Sequence, residues 1–216
     1  MVHPFSEFPP PKFLHTYSPQ VKTRVVCLQS FADLDTATLE EVKKAIQQYY
    51  GFEVRSLPFI PLPSHARTTN IAGLKLYNPS PERYRADSLL RYLKRKKPEA
   101  CTNCIGLTTK DISSTKKLNG KVKEPVWMYT DCGIFGLGFQ PGPTALISTY
   151  RLARDTRDLA KIKARLRKIV MHELGHNLGL LHCPNPNCFM RDALESILTI
   201  DAAPESLCEN CQNAIP

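Results

Sequence analysis

HELGHNLGLLHCPNPNCFM runs from His172 to Met190 and packs three of the chain's six histidines, two of its eight cysteines and one glutamate into nineteen residues. The segment before it, DLAKIKARLRKIVMHELGHNLG (158–179), has helical spacing, with Leu159, Ile162, Leu166 and Ile169 on one inner face. His172 and His176 are four apart on that helix, so their rings project from one face about a turn apart, the geometry for two ligands to one zinc. Ile169 precedes His172 by three, so the ligand face continues the buried face and the site is expected in a cleft beneath the helix. Gly179 falls where the helix should stop, and a left-handed glycine there would let the chain reverse and bring His182 to the same metal. Three histidines leave one tetrahedral position open, the mark of a catalytic zinc. Glu173 lies too close to His172 to ligate comfortably but is well placed to touch a water at the metal.

Cys183 follows His182 directly, Cys188 comes five later, and Cys208 and Cys211 form a Cys-x2-Cys near the C-terminus. Two such pairs match a closed four-thiolate zinc site, which stabilises folded chain outright. The 29 residues from Cys183 to Cys211 are too few and too polar for a core of their own, so a zinc staple is expected to tie them beside the cleft. Two disulfides are the competing reading. The expectation is two zinc ions per chain, one catalytic and one structural. Cys27 and Cys132 read as packing residues. Cys101 and Cys104 fall in an expected strand, where an offset of three puts them on opposite faces and makes them poor chelators.

Further out, strand and helix patterns alternate. TRVVCLQS (23–30), FEVRSLPFI (52–60, broken at Pro58), ACTNCIGLTT (100–109), VWMYT (126–130) and TALISTYRL (144–152) read as strands. ATLEEVKKAIQQYY (37–50), with Leu39, Val42 and Ile46 on one face and Gly51 as its stop, and PERYRADSLLRYLKRKK (81–97) read as helices. Residues 110–124 read as a polar, Lys-rich loop and DCGIFGLGFQPGP as a turning connector. This order implies an α/β (α+β) layer on a mostly parallel sheet. The division expected is an N-terminal arm at 1–22, a subdomain at 23–179 and a small C-terminal subdomain at 180–216.

Composition bounds the rest. In 216 residues no apolar run approaches the ~20 needed to cross a bilayer. MVHPFSEFPPPKF lacks a basic head followed by an apolar stretch, so a cytoplasmic, reducing setting is the expectation, with cysteines as thiols or ligands. The formal charge of +9 divides into +14 over the first 170 residues and −5 over the last 46. Basic clusters at 91–97, 116–123 and 151–168 read as solvated helix faces and a loop; without aromatic interleaving, nucleic acid is not an expected partner.

HELGHNLGLLH followed by Cys-x4-Cys-x-Met, seventeen residues, then Cys-x2-Cys resembles the signature of the archaemetzincins, a branch of the metzincin metalloproteases. Weaker similarity extends through CIGLTTKDI, FGLG and ISTYRL. The resemblance implies a twisted, mostly parallel sheet with one antiparallel edge strand over an active-site helix. It assigns His172, His176 and His182 to catalytic zinc, Glu173 to general acid/base work and Met190 to a Met-turn beneath the metal. It also implies a peptide or protein substrate lying extended along the edge strand near VWMYTDCGIFGLGF. The activity implied is peptide-bond hydrolysis. The rival reading, a zinc-stabilised peptide- or nucleic-acid-binding protein, has no use for a carboxylate at 173. Tyr129, Tyr150 and His65 are candidate oxyanion donors by residue type alone.

Overall fold

The structure is a computed structural model that describes residues 24–31, 34–68, 82–191 and 196–216. The expected arm at 1–22 lies outside the described residues. The main sheet has five strands: β1 (Val25–Ser30), β2 (Glu53–Leu57), β4 (Asn103–Thr108), β9 (Gly136–Gly138) and β10 (Thr144–Ser148), ordered β2-β1-β4-β10-β9. All neighbours are parallel except β10 and β9, so among the described residues β9 is an antiparallel edge. A second sheet pairs β3 (Arg83–Arg85) with β5 (Asp111–Ser114) and β8 (Cys132–Ile134), and β6 (Lys117–Leu118) and β7 (Lys121–Val122) form a hairpin.

The sheet is covered on both faces, which explains the buried runs of its inner strands β1, β4 and β10. Side chains alternate along each strand. Val26, Leu28, Ile105, Leu107, Ala145 and Ile147 face a core closed by α1 (Thr36–Tyr50) and α4 (Leu159–Asn177). Cys27, Cys104 and Leu146 face the opposite core, closed by Leu89, Leu90 and Leu93 of α2 (Ala86–Lys96). The polar tail carries two short helices, α5 (Ile197–Ala202) and α6 (Glu209–Asn213). Arg165, 1 % exposed on α4, binds Asp155, the Leu152 carbonyl and, through two nitrogens, Asp201 of α5. These pairs pin the tail to the central helix.

Several expectations need correction. VWMYT is a helix, α3 (Val126–Tyr129), not a strand. The Lys-rich loop contains β5 and the β6–β7 hairpin, because Asp111 and Ile112 are buried against Arg151 and β8 rather than solvated. The connector DCGIFGLGF supplies two strands, β8 and β9. Residues 83–85 add a strand before the second helix. Leu159 is exposed at the first turn of α4, and Arg165 takes a buried place through its ion pairs, so the basic run at 151–168 is not only a solvated face. Cys27 is disulfide-bonded to Cys101, with Cα atoms 5.8 Å apart, rather than merely packed. The offset argument failed because Cys101 precedes β4, and it shares the α2-side core with Cys27 and Cys104.

Candidate active site

Asp158 caps α4 by accepting from the Ala160 and Lys161 amides, and the helix is buried without interruption from Ile169 to Asn177. That burial carries His172, Glu173 and His176 into the interior. Gly175, between them, presents no side chain to the chain below: a Cβ there would stand 2.4 Å from the Met190 sulfur. Met190 is fully buried directly under this turn. At the helix end Gly179 takes φ +97°, a left-handed conformation that costs glycine little. The Leu180 amide donates back to the Gly175 carbonyl, and the reversed chain delivers His182 to the cluster. Its ring centre lies 5.4 Å from that of His172 and 4.9 Å from that of His176.

The ring orientations follow from backbone carbonyls. His172 Nδ1 lies 2.8 Å from the Phe189 carbonyl oxygen, and His176 Nδ1 lies 2.8 Å from that of Leu180. A carbonyl only accepts, so each Nδ1 carries a proton, and in a neutral ring the Nε2 then presents a lone pair. Those two Nε2 atoms face one another at 3.0 Å. Burial, then the neighbouring His176, lowers the His172 pKa to about 3, so the ring stays neutral. Two lone pairs converging at this distance repel unless a cation stands between them. One nitrogen from each of the three histidines lies within 4.8 Å of the others. Burial raises the Glu173 carboxyl to about 8, against the nearby Gly138 amide, which favours the charged form.

The site forms the floor of a cleft of about 320 Å³, roofed by Gly133 to Gly138 and reached by Gln140 and Lys116. Tyr129, Tyr150 and His65 do not line it; His65 packs near Tyr92 instead, with ring centres 6.1 Å apart. Sequence reasoning missed Lys116, which belongs to a basic run read as loop, and the Phe189 and Leu180 carbonyls, which leave no mark in residue type.

Cys183, Cys188, Cys208 and Cys211 bring their sulfurs within 4.8 Å of one another. Cys183 and Cys208 sulfurs are 3.7 Å apart. A tetrahedral zinc with bonds of ~2.3 Å spaces its sulfurs ~3.8 Å apart, whereas a disulfide would bring them to ~2.0 Å. The Cys211 amide pulls the Cys208 thiol down to about 7, while burial pushes Cys188 and Cys211 up.

Two buried histidines on one helix and an exposed third on its return loop, with a glutamate in the same turn and an antiparallel edge strand overhead, are how zinc peptidases of the metzincin class are built. The chain belongs to peptidase family M54, whose family model matches residues 20–216. It is 31% identical to the archaemetzincin of Archaeoglobus fulgidus over 182 residues, covering 84% of this chain and 93% of that protein. Its fold is similar to the crystal structure of the Methanopyrus kandleri archaemetzincin, with TM-score 0.69 and 26% identity over 92% of this chain and 97% of that one. The Archaeoglobus fulgidus crystal structure, complexed with malonate, gives TM-score 0.65 and 27% identity over 88% and 99%. The protein is a zinc-dependent metallopeptidase of the archaemetzincin family. Among the described residues no helix is long and apolar enough to cross a membrane.

Proposed function

We propose that His172, His176 and His182 hold the catalytic zinc, that Cys183, Cys188, Cys208 and Cys211 hold a second, structural zinc, and that Glu173 is the general base. The opposed Nε2 lone pairs of His172 and His176, each fixed by a carbonyl behind its ring, carry the first assignment. The sulfur spacing supports the second. Zinc at the histidines would supply the Lewis acidity that makes a water acidic near pH ~7 and polarises a peptide carbonyl.

The chain's own residues do the remainder. The Phe189 and Leu180 carbonyls hold the rings in the tautomer that presents Nε2, as such partners do in zinc sites. Glu173 stands in the same helical turn as the ligands; it accepts the proton of the attacking water and passes it to the leaving amine. Its burial excludes solvent and keeps the acid basic enough to hold that proton in between. A peptide in extended form pairs along the free edge of β9, with Gly133 to Leu137 as the cleft wall. Met190 supports the ligand turn from below. The chain from Leu180 onward acts as a small subdomain fastened by the structural zinc.

The test is a digest of a peptide library by the zinc-loaded protein, read by mass spectrometry with Glu173→Ala as control, alongside elemental analysis. Near two zinc per chain and cleavage lost in Glu173→Ala are expected. A zinc content near one that Cys208→Ser leaves unchanged removes the four-cysteine assignment. Cleavage surviving in Glu173→Ala removes the base.

A further inference from the structure

The pairing of β9 with β10 sorts the backbone groups of the edge strand into two sets. Phe139 N–H donates to the Thr144 carbonyl, and the Phe135 carbonyl accepts from Ser148 N–H. Leu137 stands opposite Leu146 between them. In an antiparallel ladder hydrogen-bonded and outward-facing residues alternate. The polar groups of Phe135, Leu137 and Phe139 therefore serve β10, and those of Gly136 and Gly138 face the open edge. One outward group lies at the acid: a Cβ on Gly138 would stand 3.3 Å from Glu173 Oε2, and the Gly138 amide favours the ionised carboxylate.

Both glycines also turn the same face toward α4. A Cβ on Gly136 would stand 2.8 Å from Glu173 Oε1 and 2.9 Å from its Cγ. A Cβ on Gly138 would stand 2.8 Å from the Glu173 carbonyl oxygen and 3.1 Å from Asn177 Nδ2. There is no room for any side chain between the edge strand and the turn that carries the acid. Asn177 keeps the two together: its Nδ2 donates to the Phe139 and Thr144 carbonyls, each at 2.9 Å.

We propose that Gly136 and Gly138 are positioning residues for Glu173, and that they also set the register of a bound peptide. The Gly138 amide holds the carboxylate, and the bare backbone at Gly136 leaves the carboxylate its place. Of the outward groups, the Gly136 N–H and carbonyl and the Gly138 carbonyl remain for a substrate strand. Pairing therefore centres on Gly136, the residue whose Cβ position adjoins the acid. One short Gly-x-Gly strand thus locates the base and the peptide relative to each other. The positioning role rests on Glu173 being the base, as proposed above.

Amide exchange by NMR tests the contact without any turnover. In the zinc-loaded protein, Glu173→Ala is expected to speed exchange of the Gly138 amide by about tenfold, the scale of one hydrogen bond to a carboxylate. The Phe139 amide, held by β10, should not change. Kinetics on the best-cleaved peptide test the consequence. Gly136→Ala is expected to lower kcat by about tenfold or more, as misplacement of a catalytic group does, with zinc content and KM held. In a Glu173→Asp background, where the shorter acid vacates the space, the same substitution should cost less than about twofold. Gly138 exchange indifferent to Glu173→Ala, or an equal kcat loss in both backgrounds, overturns the proposal. If no peptide is cleaved at all, the base assignment fails on its own, while the exchange measurement still decides whether Gly138 holds residue 173.

Discussion

The histidine cluster and the cysteine cluster are adjacent in sequence, meeting at His182 and Cys183, yet they are built in opposite ways. Two of the three histidines sit on a helix whose turns are buried in the core, and their rings are aimed by the Phe189 and Leu180 carbonyls. That site keeps its shape from packing and hydrogen bonds before any metal arrives. The cysteines gather a loop, Cys183 and Cys188, and the start of a five-residue helix, Cys208 and Cys211. Around them, among the described residues, the tail lends Phe189, Met190, Ile200 and Leu207 to a core that is otherwise built by the sheet, α1 and α4. On the proposed assignments, a site of the first kind would lose its metal and stay folded, whereas a site of the second kind would have its metal as part of the fold. The two communicate through Phe189. Its carbonyl accepts from His172, and its amide donates to the Ser206 carbonyl in the tail.

This contrast can be broken most directly at the cysteines. Cys211→Ser is expected to release one zinc, lower Tm strongly and reduce solubility, since structural zinc is worth on the order of 10 kcal/mol at neutral pH. Mild chelation should instead abolish turnover and leave circular dichroism unchanged. Equal unfolding in the two experiments would erase the distinction between the sites. Next in size is Glu173→Gln, which keeps the shape but cannot accept a proton. Turnover should fall at least ~100-fold, with both zinc ions and peptide affinity kept; near-wild-type turnover would mean that another group is the base.

Smaller effects sharpen the boundary between the regions. Gly175→Ala inserts a methyl against the Met190 sulfur and should cost about 1–3 kcal/mol by overpacking. A calorimetric Tm within error of wild type would mean that Met190 yields freely. The smallest effect expected is at Asp201, whose pairing with Arg165 holds its carboxyl down to about 2 from an ordinary 3.8. A depressed folded-state pKa stabilises fully above the unfolded value and is lost as pH falls through the folded one. The Tm advantage of wild type over Asp201→Asn should therefore be present at about pH 6 and fade between about pH 4 and pH 2. Metal loss in acid is common to both proteins and cancels in the difference. An advantage flat across that range would show that the pair contributes nothing.

The legible parts of the molecule were those in which one residue type answers to one local rule. His172 and His176 share a helix face because of the 3.6-residue period, and Gly179 allows the reversal that brings His182. The parallel strands show as apolar runs because both sheet faces are covered. Misreadings fell where a distant partner overrides local pattern. Residues 111–114 look like loop but pair with β8, and Asp111 is neutralised by Arg83 and Arg151. VWMYT has strand composition but forms a helical turn. Cys27 of β1 pairs with Cys101, just before β4 and 74 residues away in sequence, a relation that neither neighbourhood reveals.

By itself the sequence determined the grouping of three histidines and four cysteines into two clusters, the presence of an acid beside one of them and the mostly parallel sheet. Spacing along one helix and one tight turn is short-range, and short-range geometry is written in residue order. Tertiary structure alone decided which carbonyls aim the histidine rings, that Met190 lies against a bare Gly175, that Lys116 reaches the cleft and that a glycine strand passes over Glu173. Most of these depend on backbone atoms or missing side chains of segments that local pattern does not link, as with the Phe189 carbonyl 17 residues from His172, and backbone atoms are the same in every residue.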